Sequence, residues 1–125
     1  MDSSIKKVLI VDDSKVSRIL IRAHILAKNP DWVISEVSCG EDAIAFVEND
    51  PPDYCTMDIN MPGISGTDAA EQILAKHPSV KIVIFTANIQ ETHQNRARSL
   101  GTILVAKPVT EKSIAITLEY FVGTQ

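Results

Sequence analysis

Cysteine is scarce: Cys39 and Cys55 are the only two in 125 residues. Two thiols make neither a disulfide framework nor a four-ligand zinc set. Long apolar runs are also missing. Runs such as residues 8–11 and 82–85 fall far short of the ~20 residues a membrane span requires. Met1-Asp2-Ser3-Ser4 lacks the basic start of a signal peptide, and the apolar run after it is too short for a signal core. Positive charge is in the minority. Twelve Lys and Arg face 16 Asp and Glu, a net charge of −4, which argues against a general nucleic-acid footprint. No internal repeat, low-complexity tract or linker divides the chain, so one domain over residues 1–125 is expected. A chain of this length can bury roughly two-thirds of its unfolded surface around one core. The absences leave a reduced, soluble, cytoplasmic domain, with no direct nucleic-acid or membrane binding, as the expectation.

Short apolar runs alternate with helical patterns. Strands are predicted at residues 6–11, 32–37, 54–58, 80–86 and 102–106. The first helix starts at Ser14, an N-cap candidate, with Val16, Ile19, Leu20 and Ala23 at helical spacing, and it stops at Asn29-Pro30. Gly40 opens a second helix that carries Ala43, Ile44 and Val47 on one face and closes at Asp50-Pro51-Pro52. Further helices are predicted over 67–76 and 89–100 and from the cap Thr110 through Phe121, with Glu111 favoured in that last first turn. Five β-then-α units in a row imply an α/β fold, a doubly wound parallel sheet covered on both faces.

In open α/β sheets, sites form beyond the carboxyl ends of the strands. The first predicted strand ends in Asp12-Asp13, the third in Asp58, the fourth in Thr86 and the fifth in Lys107-Pro108. Three carboxylates, a hydroxyl and an ammonium are therefore expected at one sheet edge. Clustered carboxylates repel unless a cation joins them. An all-oxygen site with two or three carboxylates suits Mg²⁺. An aspartate can also act as a nucleophile and form an aspartyl-phosphate, with Lys107 holding a phosphoryl oxygen and Thr86 donating to it. Each residue taken singly has a plainer reading: Asp12-Asp13 as a capped turn, Asp58 as a turn acid, Thr86 as a β-branched strand residue, Lys107 as a solvated lysine.

The motifs Val-Asp-Asp-Ser at 11–14, Met-Asp-Ile-Asn-Met-Pro-Gly at 57–63, Phe-Thr-Ala at 85–87 and Ala-Lys-Pro at 106–108 resemble the receiver domain of two-component response regulators. Single-domain chemotaxis-type regulators are the nearest in character. The resemblance implies a flavodoxin-like sheet of five strands in order 2-1-3-4-5 with five helices. It implies Asp58 as phospho-acceptor, Asp12, Asp13 and Asp58 around Mg²⁺ with the Asn60 carbonyl completing the shell, and Thr86 and Lys107 as the catalytic hydroxyl and lysine. A cis Lys107–Pro108 peptide is implied too. The implied partners are a sensor histidine kinase or phosphotransfer protein and an unidentified output protein, met at the fourth-helix, fifth-strand and last-helix face. Catalysis would extend to self-phosphorylation and dephosphorylation, not to turnover of a small substrate. Asn60 and Asn88 would flank the path of the attacking water and set the phosphoryl lifetime.

The pattern also departs from the family. Leu104 stands three residues before Lys107, where an aromatic is common, and Val109 replaces a common Phe. The acid-acid-aromatic run of many DNA-binding members is missing from residues 101–106. A monomer is expected, with a phosphorylation-dependent dimer as the alternative. Two rival readings use the same architecture: a flavin-binding flavodoxin-like module and a small aspartyl-phosphate hydrolase. His24, His77 and His93 show no ligand spacing and read as surface or partly buried groups. Cys39 and Cys55 read as small core or loop residues, Met57 and Met61 as packing residues, and Trp32 as cover for a sheet edge.

Overall fold

A computed structural model describes residues 5–123. The expectations about Met1–Ser4 and the last two residues lie outside the described residues. Five strands, β1 (Lys7–Val11), β2 (Val33–Val37), β3 (Tyr54–Asp58), β4 (Lys81–Thr86) and β5 (Ile103–Ala106), alternate with five helices. These are α1 (Lys15–Lys28), α2 (Gly40–Asn49), α3 (Gly66–Lys76), α4 (Glu91–Ser99) and α5 (Glu111–Val122). All pairings are parallel, in the order β2-β1-β3-β4-β5, as the resemblance implied.

The period-two side-chain alternation of a strand divides the core into two layers. Leu9, Val11, Cys55, Met57, Ile82 and Ile84 face one way and pack against α2, α3 and Ala97 of α4. Val8, Ile10, Tyr54, Val83, Phe85 and Val105 face the other way and pack with Ile21 and Ile25 of α1 and Ile114 and Phe121 of α5. The three inner strands are apolar on both faces because both are covered. β2, at the edge, is half-exposed along its length. Trp32, just before that edge strand, turns inward and lies 5.4 Å from the Tyr54 ring. No helix among the described residues is long and apolar enough to cross a membrane.

Two boundaries have local physical causes. Cys39 caps α2, its Sγ accepting the Asp42 N–H at 3.4 Å. Helix α4 starts at Glu91, two residues later than expected from the sequence, and its N-cap Gln90 makes no side-chain capping bond.

The helix expected from residue 14 onward is present as α1, and burial picks out one of its two apolar faces. The stripe Val16, Ile19, Leu20 and Ala23 faces solvent, with Val16 65% and Ile19 53% exposed, while Ile21 and Ile25 are buried. The helix is apolar on two overlapping faces, and periodicity alone does not choose between them.

Candidate functional site

The parallel order brings the carboxyl ends of β1, β3, β4 and β5 together, and the residues predicted there converge. Asp12 follows β1 and is 1% exposed. Its N–H donates to the Val37 carbonyl at 3.2 Å, and its Oδ1 accepts the Ser14 N–H at 2.9 Å. Ser14 in turn caps α1, accepting the Ser17 N–H at 3.2 Å. The first helix is thus launched from the acid pair. Asp13 next to it is exposed. Asp58 closes β3 and is 5% exposed. One carboxylate oxygen from each of Asp12, Asp13 and Asp58 lies within 4.8 Å of the others.

Lys107, just past β5, points into this group. Its Nζ lies 2.9 Å from Asp12 Oδ2 and 3.5 Å from Asp58 Oδ1. The contact with Asp12 is an ion pair and not an aligned hydrogen bond, so this buried oxygen keeps unused accepting capacity. The Lys107 N–H donates to the Thr86 carbonyl at 2.8 Å, which zips the ends of β4 and β5 together. The Lys107–Pro108 peptide is cis.

Thr86 is fully buried. Its hydroxyl is turned to the loop, donating to the Asn88 carbonyl at 3.2 Å and accepting the Asn88 N–H at 3.1 Å. Asn60 is exposed in the loop after β3. That loop is braced from two sides. The Gly66 N–H donates to the Ile59 carbonyl at 3.0 Å, and Glu41 of α2 accepts the Ile64 N–H at 3.1 Å. A Cβ on Gly66 would lie 1.8 Å from the Asp58 carbonyl oxygen, so only glycine lets α3 begin this close to the end of β3.

The electrostatics follow from the burial. Asp58 is pushed up to about 6, first by desolvation and then by the Asp12 charge, with Lys107 pulling the other way. Burial works against the charge on Lys107, but its contacts with Asp12 and Asp58 outweigh it and hold the ammonium above its usual range. The Cys55 thiol, fully buried in the core, is pushed up to about 12 and is inert.

The net excess of carboxylate, the unused oxygen of Asp12 and the all-oxygen donor set fit a hard divalent cation such as Mg²⁺. Sequence reasoning missed Gly66, Glu41 and Arg18, whose guanidinium donates to the Asp12 carbonyl at 2.7 Å. Gly66 and Arg18 act on backbone atoms of the site and Glu41 on backbone of the loop that follows it, and none of the three carries a motif.

Comparison with known proteins agrees with this geometry. The family model of the response regulator receiver domain matches residues 8–119. A chemotaxis protein CheY from Listeria monocytogenes is 37% identical over 86 residues, 68% of this chain and 71% of its own. A protein-glutamate methylesterase/protein-glutamine glutaminase from Hahella chejuensis is 40% identical over 111 residues, 89% of this chain and 28% of its own. Against the response regulator GacA of Pseudomonas aeruginosa the chain spans 44% of the relative's length. Among solved structures, the fold matches the CheX–CheY–BeF3–Mg complex from Borrelia burgdorferi with a TM-score of 0.84 at 20% identity, covering 94% of this chain and 90% of that one.

Proposed function

Because this chain belongs to the response regulator receiver domain family, we propose that Asp58 accepts a phosphoryl group from a histidine kinase or phosphotransfer protein. The observation that carries the reading is the convergence of Asp12, Asp13, Asp58 and Lys107 at one sheet edge.

In this reading a carboxylate oxygen of Asp58 attacks phosphorus, and the bond to the donor's nitrogen breaks as the acyl-phosphate bond forms. Asp12, Asp13, Asp58 and the Asn60 carbonyl would hold Mg²⁺, which supplies charge neutralisation at the phosphoryl oxygens. Asp58 must be ionised to attack, and without a cation its raised pKa works against this near neutral pH. Lys107 holds a second phosphoryl oxygen from the opposite side. Thr86 gives up its bonds to Asn88 and donates its hydroxyl hydrogen to the phosphoryl group, a stronger charge-assisted bond. Asn60 and Asn88, both exposed beside Asp58 and Thr86, set how readily water reaches the acyl phosphate.

A donor must approach the open edge. Val16, Ile19 and Leu20 lie exposed on the helix that begins beside Asp13, which supports this face as the donor's platform. Output would use the opposite flank. There Gln94, Ala97, Arg98, Ile103 and Leu104 line a groove of about 400 Å³ between α4 and β5. The flavin reading is disfavoured because Asp12-Asp13 would repel a flavin phosphate at the loop where backbone donors are needed.

Acetyl phosphate with Mg²⁺ should add one phosphate, seen by intact mass, and Asp58→Asn should abolish it. Equal labelling of Asp58→Asn, or labelling without Mg²⁺, overturns the reading.

A further inference from the structure

Asp13 is the exposed member of the acid cluster. Its place depends on the peptide that joins it to Asp12, and the carbonyl of that peptide is held by a side chain. The Asp12 carbonyl accepts from Arg18 NH1 at 2.7 Å. Arg18 reaches it from the first turn of α1, with its side chain 17% exposed. It does not reach alone. Its Nε donates to Glu36 Oε1 at 3.0 Å, and the other oxygen of the same carboxylate accepts from Arg22 NH1 at 2.9 Å. Glu36, on the edge strand β2, therefore fixes the plane of the Arg18 guanidinium from behind. A planar fork has two directions to satisfy at once, a carbonyl and a carboxylate, and an ammonium cannot fix both in one plane.

We propose that Arg18, held by Glu36, is a positioning residue that sets Asp13 for the divalent cation. The inference rests on the metal-assisted reading of the site given above. Its chemistry sets two effects against each other. Arg18 is a cation beside a cation site, so by charge alone its loss should tighten metal binding. By position its loss should weaken binding, because the Asp12–Asp13 peptide loses the bond that fixes its carbonyl. Residues behind metal ligands commonly change affinity by about 10–100-fold, so the positional effect should win.

The test is calorimetric titration with Mg²⁺ alone on the full chain, beside thermal melts of the metal-free proteins. Arg18→Met should bind Mg²⁺ about tenfold more weakly. Arg18→Lys keeps the charge and loses the fork, and should also weaken binding. Glu36→Gln, on the exposed edge, should fall between these and wild type, and should shift the Asp13 amide resonance in the metal-free protein. Wild-type or tighter binding in Arg18→Met and Arg18→Lys overturns the positioning role. If Arg18→Met does not fold, the other two variants decide by the same criterion. Wild-type protein that binds no Mg²⁺ overturns the reading beneath, and the positioning role with it. That outcome is distinct from intact wild-type binding with unaffected variants.

Discussion

Helices α3 and α4 lie on the same side of the sheet and follow adjacent strands, yet they are attached very differently. Helix α3 follows Asp58 and buries Gly66, Thr67, Ala69, Ala70 and Ile73, with Ser65 capping the Asp68 N–H at 3.2 Å. Helix α4 follows Thr86, buries only Ala97 and starts from Gln90 without a side-chain cap. A surface clamp ties one to the other: Arg96 reaches Asp68 at 2.9 Å and Glu71 at 2.7 Å. Such exposed pairs contribute little, about 0–1 kcal/mol. The helix beside the proposed acceptor is built into the core, while the helix after Thr86 rests on it. Rigid placement would suit the chemistry proposed at Asp58, and a loosely held element is the kind that a small local change can redistribute.

The sharpest way to break the contrast is at the start of α3. Gly66→Ala puts a Cβ into the Asp58 carbonyl, which belongs to backbone and cannot swing aside. We expect a loss of about 3 kcal/mol of stability, the upper range for overpacking, together with loss of phosphoryl labelling. Chemical denaturation checks it, and a variant within about 0.5 kcal/mol of wild type would show that α3 is not seated as described.

A second, smaller effect comes from Asp58 itself. Its folded pKa, about 6, lies above the ordinary aspartate value of 3.8. The native state therefore binds this proton more tightly than the unfolded chain does. The contribution is fully present below about pH 4 and is lost as pH rises through about 6. Above that the buried charge is a burden, which Asp58→Asn removes. Metal-free Asp58→Asn should be more stable than wild type at pH 7 by about 1–2 kcal/mol, since Lys107 loses one of its two counter-charges in exchange. The gain should vanish toward pH 4, and Mg²⁺ should erase it at pH 7 by stabilising wild type alone. Equal stability at pH 7 in metal-free buffer counts against the raised pKa.

These sites were legible to different degrees. Asp12, Asp13, Asp58, Thr86 and Lys107 could be read because each ends an apolar strand, and a parallel sheet brings strand ends together. The alternation of strands and helices was legible for the same reason. Which face of α1 the sheet takes was not legible, because Val16, Ile19 and Leu20 repeat as regularly as Ile21 and Ile25 and nothing local marks the buried side. Gly66 was invisible because its constraint is the Asp58 carbonyl eight residues earlier. Arg18 and Glu36 were invisible because an ion pair between a helix and an edge strand leaves no spacing in the chain. The cis Lys107–Pro108 peptide was expected only through the resemblance.

The smallest predicted effect bears on α4 directly. Gln90 sits in extended geometry at the N-cap, with φ −123° and ψ 152°, but offers no oxygen to the first turn. Serine there would supply one, as Ser65 does for α3. Gln90→Ser should stabilise the helix locally by about 0.5–1 kcal/mol. Because α4 buries only Ala97, global unfolding should barely change, while amide exchange in residues 94–99 should slow by roughly two- to fivefold. Beryllium fluoride on Asp58 should act on the same segment. It draws the Thr86 hydroxyl away from Asn88 and so releases the loop that leads into Gln90. Leu104, on the neighbouring strand and half-buried, has no ring to swing into vacated space, so the response must be carried by residues 86–92 and by repacking at 104–108. Amide shifts should therefore concentrate in those two segments and be damped in Gln90→Ser, while α3 stays silent. Exchange in wild-type α4 as slow as in α3, or shifts centred on α2, would show that the loosely seated helix is not the element the switch moves.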